Sequence, residues 1–258
     1  MALFPTAERR VYSYTFLLNT SSILHFDERN EENCGSDVKE RFKDFLTDNF
    51  NTTGQHNYPI EGLQVDSDDR VVSYEFGQSY AAVRVGRPQY TTFGKSMLPH
   101  VSRLRRFVDK VLNLKTVKSI GVRKISVLPI QLEGQTPDAE MARNMMSKVL
   151  TTDVMTLMTI RELEDEDNTI GPMTMHVMED NDNHFRYEIL RGVLKDKKRQ
   201  NIYNVVLDAR CYYQQEGGIQ TSEVEDKLSD MSRTLYDLYH WAVQGHVIEA
   251  MKGGVSNG

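Results

Sequence analysis

VKSIGVRKISVLPI, residues 117–130, reads as a long strand in the middle of a 258-residue chain. It is rich in valine and isoleucine, the residues that pack best on a pleated surface. Its interior Gly121 marks a bulge or the close approach of another backbone. Downstream, Thr136-Pro137-Asp138 opens a helix to about residue 150. Residues 170–178, 184–194 and 202–213 then alternate as three antiparallel strands joined by polar turns. A long helix from Thr221 to about His246 closes this half, with 253–258 a frayed tail.

The same order of elements precedes residue 117. Residues 11–18 (VYSYTFLL) form a strand with Tyr12, Tyr14 and Phe16 on one face. Ser36 or Asp37, with Glu40 in a capping box, starts a helix carrying Val38, Phe42, Phe45, Leu46 and Phe50 at helical spacing. Strands follow at 60–65, 70–76 and 80–85. A second long helix then turns Leu98, Val101, Leu104, Val108, Val111 and Leu112 inward, with Pro99 in its first turn. Strand, helix, three strands and long helix are thus read twice. The sequence predicts an α+β fold of duplicated β-α-β-β-β-α halves, 1–114 and 115–250, with 251–258 a disordered tail. The preferred arrangement is one curved antiparallel sheet with the long helices on one side, a saddle like that of the TATA-box-binding protein. Two ferredoxin-like modules are the alternative.

Composition narrows the function classes. Apolar residues are 39% and charged residues 26%, an ordinary globular balance, and no run approaches a membrane span. Only Cys34 and Cys211 are present and no export signal is read, so a reducing cytoplasm is expected. The net charge of -6 argues against a general nucleic-acid binder. The charge is uneven, however. Residues 95–124 are basic, while Glu162, Glu164, Asp165, Glu166 and Asp167 form an acidic cluster. Both are first read as solvated surfaces.

At residues 119–130 (SIGVRKISVLPI) the chain resembles an uncharacterised, sporadically distributed prokaryotic family of about this length. The family's later strand is similar to Val205-Val206-Leu207-Asp208-Ala209, and its C-terminal Leu-x-x-Leu-x-His stretch to residues 235–240. Lys124 stands where an aromatic residue is more usual, and Ser126 where Asn is. The resemblance implies no activity. Its patchy occurrence associates it with mobile or defence genes.

No local catalytic signature is read. Two distant cysteines and no H-E-x-x-H give no zinc site, and His240 and His246 fall on different helix faces. Asp180-Asn-Asp182-Asn-His184 lacks the glycine and distal glutamate of a calcium loop and reads as a turn. Gly217-Gly218 has no phosphate-loop lysine after it. No cofactor and no metal are expected. Eight methionines between Met141 and Met178 fit core filling or an adaptable contact surface. Val224, Leu228, Met231, Leu235, Leu238 and Ala242 make a heptad seam, read as packing on the sheet, with dimerisation the second option.

The candidate surface residues are Arg123, Asp208 and Arg210, expected on the open and mostly polar face of the sheet, and Arg103, Arg106 and Lys110 on an outward helix face. The reading reached is a non-enzymatic binding or regulatory module acting through protein contacts, its partner encoded nearby or a second copy, with no membrane role. One alternative is a nucleic-acid binder using the sheet or the basic helix face. Another is a hydrolase or nuclease with a dispersed site.

Overall fold

Alternation of buried and exposed residues builds the sheet of this computed structural model, which describes residues 4, 17–27, 45, 56–57, 62–67, 71–77, 79–86, 90–132, 137–163 and 169–253. The chain is α+β and divides into two compact units. One comprises Asn19–Arg123 and Tyr212–Ser232, the other Met1–Leu18, Lys124–Cys211 and Arg233–Gly258. The long strands β6 (Thr116–Gln131) and β10 (Ile202–Gln220) each have one end in either unit.

In the unit around residues 19–123, β1 (Leu17–His25), β2 (His56–Asn57), β3 (Gly62–Asp66), β4 (Val72–Gly77) and β5 (Tyr80–Gly86) run in the order β2-β3-β4-β5-β1, then β6 and β10. β4 and β5 are antiparallel, placing Val72 opposite Val85, Tyr74 opposite Val83 and Phe76 opposite Ala81. All six are buried, and such cross-strand apolar pairs are what stabilise a sheet. Against them lies helix α1 (Leu98–Arg106), which buries Val101 and Leu104; Phe107 just beyond it meets Phe76 edge to face at 5.5 Å. α1 is flanked by π-helical turns, Phe93–Met97 and Phe107–Val111. Pro99 lies in the first turn of α1, as expected. Thr92 caps the helical run by accepting from the Lys95 amide at 3.2 Å. Leu98 and Val111, expected inward, are half-buried, whereas Met97 and Phe107 are buried.

β1 departs from the expectation. Most of 11–18 lies outside the described residues, as do the helix 36–50 apart from Phe45, and Cys34. The strand that is described runs on through Asn19-Thr-Ser-Ser-Ile-Leu-His25. The reading from sequence ends this strand at Leu18, yet Thr20, Ser22 and Leu24 are buried within it, and the Thr20 hydroxyl donates to the Arg123 carbonyl at 3.0 Å. The Ser22 hydroxyl is buried and, among the described residues, has no hydrogen-bond partner. An orphan hydroxyl retains its desolvation cost, so Ser22→Ala should be neutral or stabilising by about 1 kcal/mol. Urea denaturation checks this; a clear loss of stability would show that the hydroxyl is satisfied. Gly121 lies where a Cβ would come within 2.9 Å of Ile23 Cγ2 and 3.0 Å of Tyr212 Cδ1. The close approach is by side chains, not by another backbone.

The other unit orders β6, β10, β9 (Phe185–Lys195), β8 (Met173–Asp180) and β7 (Arg161–Leu163). β7 and β8, and β8 and β9, pair antiparallel. The expected turn at 180–184 is present, with the Asp180 carboxylate accepting from the Asn183 amide. Between β9 and β10, the Asp196 carboxylate accepts from the Lys198 and Arg199 amides at 2.9 and 3.0 Å and from the Arg199 guanidinium at 2.7 Å. These donors hold its pKa well below the ordinary carboxylate value. Helix α2 (Ala139–Val149) begins at Asp138, whose side chain accepts from the Met141 amide at 2.9 Å. The four-residue helix α3 (Thr152–Met155) follows.

The final helix is two helices. α4 (Val224–Ala242) ends where Val243 bridges Leu150 and Gln244 binds the Val149 carbonyl, and α5 (Gly245–Gly253) starts anew. Residues 254–258 lie outside the described residues. Every residue of the predicted seam on α4 has 0% exposure, so the seam is spent on packing within the chain. That excludes dimerisation through it. β10 also corrects the sequence reading. Val205, Val206, Leu207, Asp208 and Ala209 are all buried, so mid-strand it is covered on both faces rather than open on one.

Candidate functional site

The methionine-rich stretch divides when folded. Met145, Met146 and Met173 are core residues. Met158 is 82% and Ile160 58% exposed, the large apolar side chains left to solvent among the described residues. Both sit on the loop between α3 and β7, the last strand in the order of its unit. Scattered surface hydrophobes need no explanation, but two on one short loop at a sheet edge form a shelf.

What distinguishes this loop is how it is held. Along β9, Tyr187, Ile189 and Val193 point into the core, and Arg191 takes an inward position among them at 6% exposure. Its Nη1 donates to the Val154 carbonyl at 2.7 Å and its Nη2 to the Met155 carbonyl at 3.1 Å. Its Nε donates to Thr174 Oγ1 at 3.0 Å, and Met155 Sδ lies 3.1 Å from Nη1. Val154 and Met155 end α3, whose last carbonyls have no partner within the helix and carry its negative pole. A guanidinium, with donors in a planar fork, satisfies several such acceptors at once. Among the described residues it bonds no carboxylate, and burial lowers its pKa.

The clamp continues through His176, itself 1% exposed. Its Nδ1 lies 2.8 Å from the Met158 carbonyl, so that nitrogen carries the proton and donates. Its Nε2, 3.2 Å from Thr174 Oγ1, then accepts from the hydroxyl. Arg191, Thr174 and His176 thus form a directed chain whose last bond fixes the backbone of Met158. Thr151 anchors the other end, donating to the Trp241 carbonyl at 3.0 Å and capping α3. An exposed apolar residue is presented on a backbone pinned by buried polar groups.

The residues singled out from the sequence fall elsewhere. Asp208 and Arg210 are brought together on β10, with Arg210 Nη2 2.9 Å from Asp208 Oδ2. The Arg210 guanidinium also lies 3.7 Å from Glu188, and Glu188 lies 3.1 Å from Arg186. This is a cross-strand ion-pair ladder; most such exposed pairs add little stability, but Asp208 at 2% exposure depends on its partner. Arg123 lies on β6, half-buried, its carbonyl accepting from Thr20. Arg106 and Lys110 are exposed. Arg103 does not stand on the outward face with them. It reaches back to donate to Tyr74 Oη at 2.9 Å, while Tyr74 Oη meets His100 Nδ1 at 2.5 Å. Arg105 is likewise engaged, with Glu225 at 2.7 Å. Of the acidic cluster, Glu162 is described and exposed; 164–168 lie outside the described residues.

Burial moves the titrating groups of both clusters away from neutral-pH chemistry. Tyr74 is pushed up to about 12 by burial, against the pull of Arg103. His100 is lowered to about 4 by burial and then by Arg103. His176 is lowered by burial, against its bond to Met158 and with the help of Arg191. His25 is lowered by burial and by Lys118. In the unfolded chain each histidine takes a proton near 6.5, and in the folded chain only below that. The unfolded state therefore binds more protons on acidification, so this stability is complete above 6.5 and is lost as pH falls, for His100 through about 4. Urea midpoints should drop across that window and the His100 ring resonance should not titrate near 6.5; a flat midpoint would contradict the assignment.

Among the described residues no group of three or more histidines, cysteines or acids is placed to hold a metal ion, and no helix is long and apolar enough to cross a membrane. The fold and the site define an α+β chain with a clamped apolar shelf at a sheet edge. No protein-family model matches the chain, and no curated protein matches it.

Proposed function

We propose that this chain is a non-enzymatic binding module that docks another protein on the shelf formed by Met158 and Ile160. The observation that carries the reading is the 82% exposure of Met158 on a loop whose Met158 carbonyl is held by buried His176 and which follows directly on the α3 carbonyls held by buried Arg191. Preorganised apolar side chains lower the entropy cost of association, and methionine adapts to varied partner surfaces. Against the nucleic-acid alternative, two of the helix cations are committed internally, Arg103 to Tyr74 and Arg105 to Glu225.

The partner is a separate protein, encoded nearby, within a prokaryotic cytoplasm and associated with defence functions. The reduced, buried thiol of Cys211 accords with that compartment. The reading of the scaffold as a duplication is supported by its strand order, β2-β3-β4-β5-β1 followed by β6-β10-β9-β8-β7, which repeats outward from the β1–β6 junction. In each half the first strand neighbours the last. This order supports a scaffold built from two copies of one half.

Expressed with the products of its neighbouring genes, the chain should retain a partner that the double variant Met158→Glu/Ile160→Glu loses by at least about tenfold, or 1.4 kcal/mol. Both positions are exposed, so thermal unfolding should be unchanged within about 0.5 kcal/mol. Equal retention by the double variant would refute the reading.

A further inference from the structure

We infer that the outward face of the helical run 93–111 is a second docking surface, which takes an acidic segment of a protein on Lys95, Arg106 and Lys110. It shares no residue with the Met158/Ile160 shelf and is tested separately from it. The run buries Phe93, Met97, Val101, Leu104, Phe107 and Val108 against its own unit. Lys95, Pro99, Arg106 and Lys110, spaced four, seven and four residues apart, are exposed on the other side. Two π-turns frame that side: Lys95 lies in the one at Phe93–Met97 and Lys110 in the one at Phe107–Val111. Such turns are rare insertions in α-helices and are frequent at functional sites.

Charge decides the occupant. Residues 93–118 carry seven lysines and arginines against the one acid Asp109, a net of +6 within a chain of net -6, so the rest carries -12. Internal bonds absorb part of the local excess: Arg103 donates to Tyr74, Arg105 pairs with Glu225, and Lys115 takes Asp109 at 2.7 Å. Lys95, Arg106 and Lys110 stay exposed, and among the described residues no carboxylate pairs with them. Carboxylates complement such a row. A long nucleic acid would also meet the strongly negative remainder of the chain. A short acidic segment senses only charges within a Debye length, about 8 Å at physiological salt. A membrane surface fits less well, because no large apolar side chain of the run is exposed for insertion. Lys95 and Lys110 are separated by about 20 Å along the run, the length of roughly four turns of an acidic helix laid beside it.

The test measures binding of the full chain to four probes. These are a four-turn alanine-rich peptide with glutamates three and four residues apart, the same peptide with glutamines, a short DNA duplex, and vesicles of phosphatidylserine and phosphatidylcholine. The glutamate peptide should bind at low salt at least about tenfold more tightly than the other three, and should weaken by about tenfold at high salt. Lys95→Glu/Arg106→Glu/Lys110→Glu should lose at least about tenfold of that affinity. Lys195→Glu/Lys198→Glu, which reverses exposed lysines at the β9–β10 hairpin, should bind like the parent. All the altered positions are exposed, so thermal unfolding should be unchanged; the glutamine triple variant replaces the glutamate one if it unfolds, with a smaller loss in the same direction. A glutamate peptide that the parent does not bind, or that binds undiminished to the triple variant, overturns the inference. So does an equal loss in the hairpin variant, which would mark diffuse attraction rather than a site. Duplex or vesicle binding that exceeds the peptide's and vanishes in the triple variant overturns the acidic-protein assignment in favour of a phosphate surface.

Discussion

Replacing Arg191 with methionine is expected to lower the unfolding free energy by about 3 kcal/mol, among the largest single effects in this chain. The substitution keeps the stem's bulk but strips donors from the Val154 carbonyl, the Met155 carbonyl and Thr174 Oγ1. A fully buried acceptor left without a donor costs about 1–3 kcal/mol, but Met155 and Thr174 are half-buried and the Val154 carbonyl keeps the Leu157 amide at 3.4 Å. Relief from burying a cation offsets a further part, which is why the expectation lies well below three full costs. Lysine at 191 should rescue poorly, because a single ammonium lacks the fork that spans three acceptors. The second signature is local. Amides of residues 152–160 should exchange faster with deuterium in the variant than in the parent at equal global stability, since the Met158 carbonyl is held through the same chain by His176. A variant with parental stability and exchange would show that the clamp is ornamental.

Leu235→Ala should cost about 3–4 kcal/mol. Leu235 has 0% exposure on α4, and a leucine truncated in a fully packed site loses its transfer energy and leaves a cavity. The same variant separates packing from dimerisation. If the seam packs within the chain, the loss is independent of protein concentration; a melting temperature that rises with concentration in the parent and not in the variant would restore the seam to an intermolecular role.

The long elements were legible because their periodicity was strong. Alternation in β4, β5 and β10 and the heptad of α4 each matched a buried face. Asp138 was readable as a cap because an aspartate before a helical run has one obvious job. The continuation of β1 beyond Leu18 was not legible, because Asn19-Thr-Ser-Ser22 carries little strand propensity and only tertiary burial makes it strand. The three-residue β7 is too short to carry a period. At the site, the methionine cluster was visible, but not which member stays exposed. Arg191 did leave a signal: an arginine at an inward position of the alternation Tyr187, Ile189, Arg191, Val193 is out of place unless it is bonded. Its acceptors lie 36 to 37 residues away on α3, a distance no local pattern spans. The reach of Arg103 back to Tyr74 was hidden for a similar reason, because a long side chain near the edge of a helix stripe can turn to either side.

The docking shelf is tested most directly by placing a photo-reactive methionine analogue at position 158 and irradiating the chain in its native cells. A covalent adduct to one other polypeptide, lost when Ile160→Glu is added, is the predicted result. Adducts confined to the chain's own residues or to solvent would contradict the account.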